Sequence, residues 1–130
     1  MQKLFLTALL FSIFLFSCTK KTPLKKLICD TDVVKLYLYS GEAVLVHYES
    51  NDIRKVQDWL NYIMEDTAVS NNDCFREGRL VFKIYDDSTE AKFSLLPGCQ
   101  TVTYQLKGIQ YENSLSQQGI AFIEGLMKIQ

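Results

Sequence analysis

The feature that most constrains the fold of this chain is a series of short segments in which apolar and polar residues alternate. Turn-forming residues separate these segments. Leu80, Phe82 and Ile84 alternate with more polar neighbours, and the same two-residue period recurs in the segments that follow. Such alternation is typical of β-strands that bury one face. Turn-forming pairs lie between the segments, so neighbouring strands are expected to form antiparallel hairpins. The predicted strands cover residues 33–40, 43–49, 79–86, 90–96, 102–106 and 109–111.

Two other segments carry apolar residues at helical spacing. Ser50 or Asn51 is a suitable N-cap for the first, which is expected to end near Thr67 and to bury Ile53, Val56, Trp59, Leu60 and Ile63. The second covers residues 116–129 and is expected to bury Ile120, Ile123, Leu126 and Met127. The element order β-β-α-β-β-β-α, with a short sixth strand, predicts an α+β fold. It is an antiparallel sheet of five to six strands with two helices packed on one face.

The first eighteen residues are a separate unit. Lys3 precedes an apolar run of 13 residues over positions 4–16, and the small Ser17 precedes Cys18. A membrane-spanning helix needs roughly 20 residues, so this run is typical of a signal-peptide core. The ending Leu15-Phe16-Ser17-Cys18 resembles the lipobox of bacterial lipoproteins. This resemblance implies cleavage before Cys18, a diacylglyceryl group on the Cys18 sulfur and acylation of the new amino group.

The resemblance also divides the chain and suggests its location. Residues 1–17 become a signal peptide, 18–30 a lipidated cysteine with a basic tether, and 31–130 a single α+β domain. Acylated Cys18 implies a lipid bilayer as partner. Thr19 stands where lipoproteins retained in the inner membrane usually carry Asp, which favours the outer membrane, and residues 19–23 contain no acidic cluster, which favours the periplasmic side. The domain itself resembles small envelope lipoproteins of unknown function in general layout only.

Charge argues against one class of partner. From Leu27 onward there are 9 basic and 15 acidic residues, and four lysines precede that body in the tether. Binding of nucleic acid requires a clustered basic surface, so no nucleic acid is expected as a partner. Each tether lysine can add roughly 1 kcal/mol of attraction to an anionic leaflet. The favoured interpretation of these lysines, however, is that the tether is a soluble, mobile spacer.

The cysteines after Cys18 predict one disulfide. An exported chain lies where disulfides persist, and three cysteines allow three single pairings. Cys74 precedes one strand of a predicted hairpin and Cys99 follows the other, so the two should meet at the hairpin base. A bridge closing a loop of about 25 residues would contribute roughly 3 kcal/mol in the chain-entropy model. Cys29 is then expected to be a free, partly buried thiol.

The first hairpin offers a candidate binding surface. With a two-residue turn at Gly41-Glu42, Tyr39 should pair with Val44, Tyr37 with Val46 and Lys35 with Tyr48. The opposite, more aliphatic face is expected to join the core through Val34, Leu36, Leu38 and Leu45. Tyr37, Tyr39 and Tyr48 then form an aromatic strip, which serves either cross-strand packing or recognition, because tyrosine is enriched at interfaces.

Evidence for catalysis or a cofactor is weak. His47 is the only histidine, no Cys-x-x-Cys or phosphate-binding glycine loop is present, and Asp86-Asp87-Ser88 is typical of a turn. The chain is therefore interpreted as a non-catalytic module that binds an envelope protein or another ligand, without a cofactor or metal. One alternative is an inhibitor of an envelope hydrolase that presents the Pro97-Gly98 loop. The other is a small hydrolase with His47 as base.

Overall fold

The computed structural model describes residues 22–66, 74 and 76–128. The signal peptide, Cys18, the predicted end of the first helix near Thr67 and the predicted end of the second at residue 129 lie outside that part of the chain. The described residues confirm an α+β fold built on a six-stranded antiparallel sheet in the order β2-β1-β3-β4-β5-β6. The strands are β1 (Val33–Ser40), β2 (Ala43–Ser50), β3 (Gly78–Ile84), β4 (Asp87–Phe93), β5 (Thr101–Leu106) and β6 (Ile109–Ser114).

Helices cover one face of this sheet. They are α1 (Pro23–Asp30), the consecutive α2 (Ile53–Gln57) and α3 (Trp59–Tyr62), which form one bent helix, and α4 (Gln117–Lys128). None of these helices is long and apolar enough to cross a membrane. Alternation along each strand decides which side chains face them, since successive residues point to opposite faces. The core between the helices and the sheet includes Leu24, Ile28, Leu36, Trp59, Leu80, Phe82, Phe93, Val102 and Ile123.

Helix α1 corrects the predicted domain boundary, because residues 23–30 belong to the folded domain and not to a tether. Thr22 caps the helix by accepting a hydrogen bond from the Lys25 backbone N–H at 3.2 Å, and Pro23 occupies the first turn, where its fixed φ is favourable. Apolar residues at i, i+3 and i+4 then enter the core: Leu24, Leu27 and Ile28. The lysines between them lie on the solvent side, and because they are charged the segment was interpreted from the sequence as a basic tether.

The bent helix differs from the single helix predicted after β2. Its N-cap is Asp52, whose carboxylate accepts the Arg54 N–H at 2.9 Å. The helix bends at Asp58 and ends at Tyr62, several residues before the predicted end. Ile53, predicted to be buried, is 68% exposed because it lies in the first turn, away from the sheet. The buried residues Val56, Trp59 and Ile63 agree with the predicted stripe.

A β-bulge changes the predicted register of the first hairpin. The predicted pair Tyr39–Val44 is confirmed, but the next pair along the ladder is Leu38–Val46, which leaves Leu45 as an extra residue in β2. An extra residue in one strand reverses which face the following side chains occupy. Leu45, predicted to lie in the core, is 53% exposed.

The turn between β3 and β4 comes earlier than predicted. It consists of Tyr85 and the residue after it, between the paired Ile84 and Asp87, instead of residues 86–88. Tyr85 has a φ of 53°, which is rare for a bulky residue. Its backbone N–H donates a hydrogen bond to the Asp32 carboxylate at 3.0 Å, which holds the turn in this conformation.

The predicted disulfide is confirmed: Cys74 and Cys99 are bonded, with their Cα atoms 5.6 Å apart. Gly78 pairs with Phe93 at the open end of the β3–β4 hairpin, so both cysteines lie beyond the same end. The prediction that Cys29 is a free thiol is wrong, because Cys29 has a bonding partner.

Candidate binding face

The sheet face opposite the helices is the candidate functional surface. Strand pairing aligns one residue from each of the six strands in a row across this side. None of the six residues is fully buried, although the side chain of Glu112 is only 9% exposed. We call this surface the open face and define it by its row: His47, Tyr37, Arg79, Lys92, Thr103 and Glu112.

Four side chains at the β2–β1–β3 end of the open face form a stacked cluster. The ring of Tyr37 stacks on His47, with centroids 4.8 Å apart and planes 4° from parallel. Tyr37 also lies 6.4 Å from the ring of Tyr39 at an angle of 15°. The guanidinium carbon of Arg79 is 4.6 Å from the Tyr37 centroid and 5.9 Å from that of Tyr39, within the range of cation–π attraction. Tyr37, Tyr39, His47 and Arg79 are called the aromatic–arginine cluster below.

The ion pairs made by the aromatic–arginine cluster are solvent-exposed and therefore weak. Arg79 donates to Glu90 at 3.4 Å, and their side chains are 38% and 47% exposed. His47 lies 3.8 Å from Glu49, also in a solvent-exposed position. Exposed ion pairs contribute only about 0–1 kcal/mol, so another anion can compete for the arginine. The Nε atom of Arg79 is buried and has no hydrogen-bond partner among the described residues.

The other arginine on this side of the molecule has a structural environment. Arg76 donates to Thr101 Oγ1 at 2.9 Å and lies 3.6 Å from Glu112. The side chains of this pair are 24% and 9% exposed, so water competes less than at Arg79. Arg76 thereby ties the segment before β3 to β5 and β6, and its donors are used within the fold.

Tyr48 does not belong to the predicted aromatic strip. Because of the bulge, Tyr37 pairs with His47, and Tyr48 pairs with Leu36 on the helix-covered face. The ring of Tyr48 packs edge-on against Phe122 of α4 at 5.4 Å. The structure therefore brings together two of the three predicted surface residues. It adds His47 and Arg79, and the latter was missed because only strand pairing across the sheet places it beside Tyr37.

The residues considered for catalysis lie in different environments. His47 stacks on Tyr37, with Glu49 as its nearest carboxylate. Asp86 lies in a hairpin turn and Asp87 begins β4. Within the described residues, no group of three or more His, Cys, Asp or Glu side chains is arranged to hold a metal ion. The Pro97-Gly98 segment forms an exposed turn next to the disulfide.

The geometry of the open face is suited to binding. Stacked rings offer a flat apolar area, and Arg79 offers a cation whose ion pair with Glu90 is exposed. Together they can hold a ligand with a planar or apolar part and an anionic group. No protein-family model, curated protein or solved structure matches this chain.

Proposed function

We propose that this chain is a lipoprotein of the cell envelope, anchored through acylated Cys18, and that its folded domain is a non-catalytic binding module. Its ligand or protein partner binds the open face at the aromatic–arginine cluster. The proposed location is the outer membrane on the periplasmic side. The lipobox-like ending at Cys18 supports the anchor, and the geometry around Arg79 supports the binding surface.

The observation that carries the binding proposal is the state of Arg79. Two tyrosine rings hold its guanidinium, yet its ion pair with Glu90 is exposed and its Nε atom is buried without a partner. A buried polar group without a hydrogen bond is costly in a fold. A bound anionic group would compete with Glu90 for the exposed end of the Arg79 guanidinium. Tyrosine and arginine are also the residue types most enriched at interface hot spots.

The anchor would place the domain close to the bilayer. Only three residues separate Cys18 from the cap residue Thr22, so the Cα atoms of Cys18 and Thr22 can lie at most about 14 Å apart. Helix α1 begins immediately afterwards and carries Lys26 on its exposed side. The open face is formed by the sheet side opposite α1, so it would stay available to a partner.

The binding proposal is tested by photo-crosslinking in cells that express the full chain. A photoreactive residue replaces Lys92 on the open face, and in a matched strain replaces Lys55 on α2. Both positions are exposed, but they lie on opposite sides of the sheet. We expect one discrete product from position 92 that diminishes with Arg79→Gln and persists with Arg54→Gln. Products from position 55, with none from position 92, would refute the proposed surface.

The anchor is tested separately by mass spectrometry of the N-terminal peptide. We expect a mature chain that begins at acylated Cys18, and a Cys18→Ala variant that lacks the lipid and is not retained in the membrane fraction. An unmodified Cys18 in the membrane-associated protein would refute the anchor without bearing on the open face.

A further inference from the structure

A groove lies at the end of the molecule where α1 meets the turn between β5 and β6. Its volume is about 390 Å³, within the range of pockets that hold small ligands. Its floor and walls are mostly apolar side chains: Leu27, Ile84, Leu106, Ile109 and Tyr111. It lies on the helix-covered side of the sheet, away from the aromatic–arginine cluster.

The β5–β6 hairpin forms one side of the groove. Lys107 and Gly108 form its turn, with φ angles of 51° and 79° that suit a tight two-residue hairpin. The residues on either side of this turn, Leu106 and Ile109, line the groove. Ile109 is 56% exposed, which is unfavourable for an isoleucine in water.

Polar residues surround this apolar surface unevenly. Lys26 on α1 and Lys107 in the β5–β6 turn are exposed, and both line the groove. Asp30 is the one acidic residue in the lining, and Thr22 and Thr89 supply hydroxyl groups. The rim therefore carries two positive charges against one negative charge, around an apolar interior.

We propose that this groove binds an anionic single-chain amphiphile of the fatty-acid class. Its hydrocarbon chain lies on Leu106, Ile109 and Tyr111, and its carboxylate lies between Lys26 and Lys107. The apolar lining accounts for the chain, and the positive rim accounts for the negative head group. This site does not depend on lipidation of Cys18 or on binding at the open face.

The test uses the purified full chain in nanodiscs of phosphatidylcholine, labelled with a long-chain fatty acid that carries a diazirine on its chain. The matched probe is the corresponding uncharged alcohol. We expect the acid to label residues of the β5–β6 hairpin and α1 more strongly than the alcohol does. The double variant Lys26→Gln/Lys107→Gln should reduce this labelling about fivefold, the scale of two solvent-exposed charge contacts.

Controls separate this site from general membrane contact. Lys55→Gln removes one exposed lysine elsewhere and should leave labelling unchanged. Fluorescence of the buried Trp59 reports whether each variant is folded. Equal labelling by the acid and the alcohol, or equal loss with Lys55→Gln, would overturn the proposal. Labelling of the groove by photoreactive phosphatidylglycerol in the nanodisc, and not by the fatty acid, would overturn it in favour of contact with the bilayer surface.

Discussion

Replacing glycine by alanine is expected to have opposite effects on stability at two positions of α4, Gly119 and Gly125. Glycine in a helix interior is about 1 kcal/mol less favourable than alanine, so sequence alone predicts that alanine stabilises both positions. At Gly125 an added Cβ would meet nothing within 4 Å. At Gly119 it would lie 2.4 Å from the carbonyl oxygen of Tyr62 and 2.9 Å from the Tyr62 Cβ. Gly119 is therefore required for the close approach of α4 to the end of α3.

The magnitude follows from what must move. The atom that an alanine at 119 would meet is backbone, so no side-chain rotation relieves the contact. The same Tyr62 carbonyl accepts a hydrogen bond from the Ser116 N–H at 2.8 Å, which a shift of the helix would weaken. Overpacking costs typically 1–3 kcal/mol and a lost hydrogen bond about 1 kcal/mol, against a helix-propensity gain of about 1 kcal/mol. Gly119→Ala is expected to lower the free energy of unfolding by about 1–3 kcal/mol.

The matched variant Gly125→Ala is expected to raise the free energy of unfolding by about 0.5–1 kcal/mol. Equilibrium unfolding in urea, followed by the fluorescence of Trp59, measures both values. Trp59 is the single tryptophan and is fully buried, so its signal reports the packing between the helices and the sheet. Equal effects of the two substitutions, or stabilisation by Gly119→Ala, would refute the close approach of the helices.

Two further predictions concern pH and the disulfide. Burial, followed by Tyr111 and Glu65, raises the pKa of Tyr104 to about 12. Its stabilising contribution is thus fully present below pH 10 and is lost as the pH rises towards 12, by about 3 kcal/mol at most. Urea midpoints measured between pH 8 and 11.5 should fall less steeply in Tyr104→Phe, and identical slopes would contradict this. Replacing both Cys74 and Cys99 by Ser should lower the free energy of unfolding by about 3 kcal/mol. An unchanged urea midpoint would show that the disulfide does not reduce the conformational entropy of the unfolded chain.

Strand positions and the disulfide could be predicted from the sequence because they depend on short-range patterns. Alternation at Leu80 and Phe82 identified a strand whose buried side chains face the core. The positions of Cys74 and Cys99 at the base of one predicted hairpin sufficed to choose their pairing.

The candidate surface could be predicted from the sequence only in part. Tyr37 and Tyr39 are two residues apart in one strand, so they share a face in any register. Tyr48 was assigned to the wrong face because the run Ala43-Val44-Leu45-Val46 is apolar throughout and carries no alternation to reveal the extra residue. Arg79 was missed because its neighbour in the sheet, Tyr37, is distant in the chain.

By itself, the sequence determined the α+β class, six strand segments, one disulfide and a signal-like N-terminus, because each follows from the order and spacing of residues close along the chain. The tertiary structure decided that residues 23–30 pack into the core, that Leu45 bulges out of β2, and that Arg79 lies over Tyr37. It also decided that Gly119 must remain glycine. These features depend on contacts between segments far apart in the chain, where the free energy of packing outweighs local propensity.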